Sequence, residues 1–141
     1  MSKRRKIVAV SGGFDPIHVG HTRMILAAAK LGDVIIIANS DEWLMRKKGY
    51  VFMSYEERQE VLYSIKGVID VIEAWDEDDT VCKTLARIKP DIFANGGDRK
   101  EETVPEYEVC EELGIEMVFG VGGNDKPQSS SWLVDKVRSK K

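Results

Sequence analysis

The feature that most constrains this chain is a regular alternation of short apolar runs with helix-length segments. The runs are residues 7–10 (IVAV), 34–38 (VIIIA), 68–72 (VIDVI), 92–94 (IFA) and 115–119 (IEMVF). The second is apolar at every position, as a strand covered on both faces must be. Between the runs lie helix signals. Residues 19–31 read as a helix stopped by Gly32, and Ser54 with Glu57 forms an S-x-x-E capping box opening a helix to about residue 65. Residues 80–88 are stopped by Pro90, Pro105 suits the first turn of a helix ending at Gly114, and residues 130–138 form the last helix. Such alternation implies right-handed crossovers. It predicts an α/β fold, a Rossmann-like doubly wound five-stranded parallel sheet with helices on both faces. Ligands of such sheets bind beyond the carboxyl ends of the strands, where strand order reverses. A length of 141 residues reads as a single domain, 1–141.

Charge and cysteine content narrow the class of function. A formal net charge of −3 argues against a general nucleic-acid binder, and the short basic ends read as solvated tails. No run of about 18 apolar residues is present to span a bilayer, so no membrane partner is expected. The apolar stretch near the start stops at Ser11-Gly12-Gly13, too early for a signal peptide. Cys82 and Cys110 are isolated, with no CxxC pair, as reduced thiols of a cytoplasmic protein would be.

The stretch SGGFDPIHVGH, residues 11–21, holds both histidines of the chain between the first strand and the first helix. Gly12 and Gly13 let backbone approach a ligand, and the helix start offers free N–H groups and a positive dipole end. His18 and His21, three residues apart, can share a side of the helix. Gly20 between them leaves room for a base or sugar. Two imidazoles there can donate to phosphate oxygens and stabilise charge growing in a transition state. Two surface histidines beside a turn would be the plain alternative, and the placement after a strand and a glycine pair disfavours it. A zinc site lacks a third His or Cys ligand, and Asp15 alone does not supply the set. Neither a P-loop nor G-x-G-x-x-G is present.

His18-Val19-Gly20-His21 matches H-x-G-H and, behind GGFDPI, resembles the signature of the nucleotidyltransferase superfamily of cytidylyltransferases, adenylyltransferases and class I aminoacyl-tRNA synthetases. The synthetase branch needs a longer chain and a KMSKS loop, which is absent. Residues 39–49 (NSDEWLMRKKG) resemble the segment bearing a phosphate-contacting lysine in glycerol-3-phosphate cytidylyltransferases and heptose-1-phosphate adenylyltransferases, with Lys48 at that position. Residues 53–62 are similar to the family's E-x-R helix, which directs Arg58 to the phosphates; an exposed helix arginine is the plain alternative. Residues 76–98 resemble the heptose enzymes most closely, although Asn95 stands where they carry lysine before the glycine pair. SSSWLV, residues 129–134, is similar to the S-[ST]-[ST] turn before the last helix.

The resemblance implies transfer of NMP from ATP or CTP to a phosphorylated sugar or polyol, with release of pyrophosphate. It gives catalytic roles to His18, His21, Lys48 and Arg58. It gives the nucleotide Gly12, Gly13, Phe14, Asp15, Gly20, Gly96, Gly97, Asp98, Ser129, Ser130 and Ser131. With no carboxylate cage in the sequence, Mg²⁺ is expected to travel with the triphosphate, and the family implies a homodimer. The other readings are a nicotinamide, nicotinate or flavin mononucleotide adenylyltransferase, using Trp43, Tyr50 or Phe52 against an aromatic acceptor, and a non-catalytic nucleotide-binding module.

Overall fold

The computed structural model describes residues 5–78, 80–96, 105–122 and 130–138. Strands β1 (Ile7–Gly12), β2 (Asp33–Ala38), β3 (Val68–Glu73), β4 (Ile92–Ala94) and β5 (Glu116–Val118) form one sheet. Helices α1 (Val19–Ala28), α2 (Asp41–Lys48), α3 (Tyr55–Tyr63), α4 (Cys82–Ile88), α5 (Tyr107–Leu113) and α6 (Ser130–Arg138) connect and cover it. Every pairing is parallel and the order is β3-β2-β1-β4-β5. The chain starts in the middle, winds outward to β3, then crosses back to place β4 on the other side of β1. The reversal falls between β1 and β4, so the crevice for a ligand opens at the end of β1. This is the doubly wound sheet that the alternation predicts.

Strand residues alternate between two apolar layers. Val8 and Val10 of β1 pack with Ile25 and Ala28 of α1 and Leu62 of α3. Ala9 between them faces the other way, toward Leu85 of α4 and Cys110 of α5. All eight are at most 1% exposed, and a buried leucine among them contributes about 2–5 kcal/mol against truncation to alanine. Cys82 and Cys110 are free thiols. Among the described residues no helix is long and apolar enough to cross a membrane.

Helix ends follow local chemistry. Helix α1 stops at Ala28, short of residue 31, and a turn brings Gly32 against the start of β1. A Cβ at Gly32 would stand 2.2 Å from the Lys6 carbonyl oxygen, so only glycine admits this approach. Helix α4 ends with Lys89 in the left-handed region, φ 46°, ahead of Pro90, which cannot continue a helix. Helix α2 is absent from the sequence expectations, although its signals are all present. The Ser40 hydroxyl accepts the Trp43 N–H at 3.0 Å. Asp41 and Glu42 lie in the first turn, Arg46, Lys47 and Lys48 in the last, and Gly49 closes it at φ 79°.

Candidate active site

Beyond β1 the chain turns through residues 13–18 into α1. Phe14 takes the left-handed region at φ 54°, rare for a bulky residue, and its ring is 1% exposed. A Cβ on Gly12 would stand 3.2 Å from that ring, and one on Gly13 3.2 Å from Leu44 of α2. The close approach these glycines permit is first that of the protein's own side chains. Asp15 is fully buried, and its carboxylate accepts the backbone N–H groups of Phe52, at 2.6 Å, and Met53. Phe14 and Asp15, expected at the nucleotide, thus have their side chains turned into the protein. Both are consumed in shaping the loop, and only their backbone is left to meet a ligand.

His18 is the N-cap of α1, and its Nδ1 accepts the Gly20 N–H at 3.0 Å. His21 reaches back, and its Nδ1 accepts the His18 N–H at 3.2 Å. The two imidazoles thus build a reciprocal capping box, the role that Ser and Glu usually fill. A backbone N–H has no choice but to donate, so both Nδ1 atoms carry lone pairs and both protons sit on Nε2. The rings stack with centroids 3.8 Å apart, and His21 meets Phe14 edge-on at 4.9 Å. Burial, then the neighbouring His18, then the Lys48 cation push His21 down from 6.5 to about 3. His21 is therefore neutral at physiological pH, a fixed N–H donor at a helix start.

Arg58 lies inside the frame of the site. It is fully buried in α3, neither an exposed helix arginine nor a group open to phosphate. Its Nε donates to the Met53 carbonyl at 3.1 Å, and Nη1 donates to those of Gly13, at 2.8 Å, and Asn39, at 2.7 Å. Nη2 pairs with the Asp41 carboxylate at 2.7 Å. One guanidinium so joins the ends of β1 and β2 to the starts of α2 and α3. These contacts, and not a bound phosphate, occupy Arg58 here, and through them it positions the loops that frame the site.

The other assigned residues that the structure describes fall around the same crevice. Lys48 is exposed at the last position of α2 and close enough for its charge to bear on His21. The Gly20 N–H is held by His18. Gly96 follows β4, where an added Cβ would lie 3.6 Å from Met24 Sδ of α1. Ser130 opens α6 and is 9% exposed, its Oγ donating to the Pro16 carbonyl at 2.8 Å. Ser131 lies in the first turn of α6. Gly97, Asp98 and Ser129 lie outside the described residues.

Asn39, Asp41 and Trp43 escape the sequence reading as structural members of the site. The polar pattern before and within α2 was the available signal. A cavity of about 340 Å³ beyond β2 and β3 is lined by Ser40, Glu42, Trp43, Arg46, Asp76 and Glu77. Asp76 is occupied there, accepting the N–H groups of Lys83 and Thr84 and the Thr84 hydroxyl. The buried Trp43 Nε1–H has no partner. Among the described residues no group of three His, Cys, Asp or Glu side chains could hold a metal ion.

The family model described as Cytidylyltransferase-like matches residues 9–124, from β1 past β5. The chain belongs to the cytidylyltransferase-like family. Membership makes it a nucleotidyltransferase, in keeping with the H-x-G-H pattern at α1. It is 41% identical over 142 residues to the bifunctional protein HldE of Hahella chejuensis, covering 94% of this chain and 28% of that protein. With the bifunctional protein HldE of Citrifermentans bemidjiense it shares 34% identity, covering 98% of this chain and 28% of that one. The chain thus spans 28% of the length of these curated relatives. The crystal structure of a lipopolysaccharide core biosynthesis protein from Thermoplasma volcanium has the same fold, with a TM-score of 0.66 at 24% identity over 82% of this chain and 95% of that one.

Proposed function

We propose that this domain transfers a nucleotidyl group from ATP or CTP to a phosphorylated sugar or polyol, releasing pyrophosphate. The observation that carries the reading is the pair of stacked imidazoles at the start of α1, whose Nδ1 atoms both accept backbone N–H groups, which leaves the donated proton on Nε2. A phosphate oxygen of the acceptor attacks the α-phosphorus in line, a new P–O bond forms, and the bond to the β-phosphate oxygen breaks. Pyrophosphate leaves with that electron pair. No covalent enzyme intermediate is required, so catalysis is positioning and charge stabilisation. His18 and His21 donate to the α- and β-phosphates, and the positive end of α1 adds to their effect. Lys48 neutralises the acceptor phosphate, and the hydroxyls of residues 129–131 serve the β- and γ-phosphates. Mg²⁺ enters on the triphosphate as part of the substrate.

The sugar or polyol branch is favoured by the likeness of residues 76–98 to heptose-1-phosphate adenylyltransferases and by the identity to the HldE proteins. The cavity beyond β2 and β3 agrees with it. Glu42, Glu77 and Arg46 in its lining suit hydroxyl groups better than a flat aromatic acceptor. Of the aromatics considered for such an acceptor, Tyr50 is covered by Arg138, whose guanidinium lies 4.9 Å from the ring centroid. The test is pyrophosphate release with Mg-ATP and Mg-CTP, each against glycerol-3-phosphate, heptose-1-phosphate, ribitol phosphate, nicotinamide mononucleotide and FMN. Release confined to one nucleotide and a sugar or polyol phosphate is the expected result. Nucleotide binding without release from any pairing would leave a binding module in place of an enzyme.

A further inference from the structure

The crevice at the end of β1 has two flanks of different chemistry. Toward β2 and β3 it is polar, with Glu42, Arg46 and Glu77 around the cavity described above. Toward β4 and β5 the chain passes through two glycines, and both approach one side chain. That side chain is Met24, which follows His21 by three residues on α1 and so shares a helix face with it. A Cβ on Gly122, after β5, would stand 3.0 Å from the Met24 Cα. One on Gly96, after β4, would stand 3.6 Å from the Met24 Sδ. Backbone bonds hold this flank together: the Asn95 N–H donates to the Val118 carbonyl at 2.7 Å, and the Val121 N–H to the Asn95 carbonyl at 3.0 Å.

The two glycines are there for different reasons. Gly122 takes the left-handed region at φ 88°, and its Cβ would press on helix backbone, so the fold itself demands it. Gly96 has neither reason. It is not among the glycines of positive φ, and 3.6 Å from a flexible thioether is ordinary contact. Among the described residues nothing else stands within 4 Å of where its Cβ would be. Backbone and packing there would both accept alanine. What glycine alone supplies at 96 is room for the close approach of a ligand. Met24 borders that room, half-buried and packed against the core cluster of α1 and β1.

We infer that the Met24 thioether is the surface on which the base of the nucleotide rests, with Gly96 leaving space for the ring. The inference rests on the nucleotidyl transfer proposed above and places its two substrates on opposite flanks. A ribose separates the α-phosphate of a nucleotide from its base, and three residues of helix, about 4.5 Å, separate His21 from Met24. With the α-phosphate at His21, a base directed toward β4 meets Met24, and the sugar or polyol keeps the polar flank. Sulfur against an aromatic ring is favourable, and an unbranched thioether adapts to a purine or a pyrimidine alike. Met24 therefore adds affinity for either base without choosing between ATP and CTP.

Methyl NMR of the full chain, carrying ¹³C at the methionine methyls, tests this, and Met24→Leu assigns the signal by removing it. Whichever of Mg-ATP and Mg-CTP binds should move the Met24 methyl upfield, the ring-current signature of a base lying over it. Met117, packed on the opposite face of the sheet, keeps its position. In calorimetric titrations Met24→Ala weakens that nucleotide about two- to tenfold, the range of a sulfur–aromatic contact, and Met24→Leu recovers part of the loss. Gly96→Ala weakens it about five- to a hundredfold by filling the space, with no loss of thermal stability. A Met24 methyl that stays in place while the imidazole Nε2 signals respond to the same nucleotide overturns the inference. So does a Gly96→Ala variant that binds as the wild type does, or one that melts below it. Imidazoles and methyls all indifferent to both nucleotides would defeat the nucleotide reading itself, and this inference with it.

Discussion

The imidazoles of His18 and His21 do two things with two nitrogens each. Nδ1 closes the start of the helix, and Nε2 carries the proton that the proposed chemistry uses. Replacing His21 by alanine removes one such donor and is expected to lower kcat by about 10²–10³, as loss of an oxyanion donor does. The stability loss is only that of a helix cap, about 1 kcal/mol. Steady-state rates beside urea melts separate the two. His21 also sets a pH dependence. Its folded value of about 3 lies below the ordinary 6.5, burial being the main cause. The unfolded chain therefore binds more protons between these values, and stability falls as pH drops from 6.5 toward 3. The wild type should lose about 2 kcal/mol more than His21→Asn between pH 7.5 and 5, read by urea melts at each pH. Arg58 belongs with the scaffold. Arg58→Met strands the carbonyls of Gly13, Asn39 and Met53 and should cost about 3–5 kcal/mol in the same melts. A stable but inactive Arg58→Met would return the residue to the chemistry.

At the scale of elements, the central strands β1, β2 and β4 were legible because burial on both faces writes a continuous apolar run. Helices were legible where a cap, a glycine or a proline marked their ends. Helix α2 shows what such reading loses. Its Ser40 cap and its acidic-to-basic gradient are ordinary helix signals, but the Arg-Lys-Lys run draws attention to phosphate binding. Arg58 shows a different loss. Three of its four partners lie 45, 19 and 17 residues away, and no local pattern encodes which carbonyls and which carboxylate the folded chain will present to one guanidinium. Glycines at element ends make a paired prediction. Gly32→Ala forces a Cβ to within 2.2 Å of the Lys6 oxygen and should destabilise by about 3 kcal/mol. Gly49→Ala meets open space and bears only the left-handed penalty of about 1–2 kcal/mol. Equal losses in thermal melts would contradict this separation.

For the whole molecule, the order β3-β2-β1-β4-β5 puts the β1 carboxyl end at the middle of the sheet, with crossovers departing on either side. The histidine loop is fixed there from several directions. Asp15 ties it to residues 52 and 53, Arg58 ties it to β2 and α2, and Ser130 ties it to α6. Pattern and position made the histidines legible as a pair. Their tautomers were not, because these depend on which backbone N–H groups the folded loop turns toward Nδ1. The account stands on those tautomers, and a chain with two histidines makes them directly observable. The measurement is a long-range ¹H–¹⁵N correlation spectrum of the imidazoles at pH 7, before and after addition of Mg-ATP or Mg-CTP. Both rings should be protonated at Nε2 and bare at Nδ1, and both Nε2 signals should move when the nucleotide binds. A proton on Nδ1 of either ring, or Nε2 signals indifferent to bound nucleotide, would contradict the donor arrangement on which the proposed transfer depends.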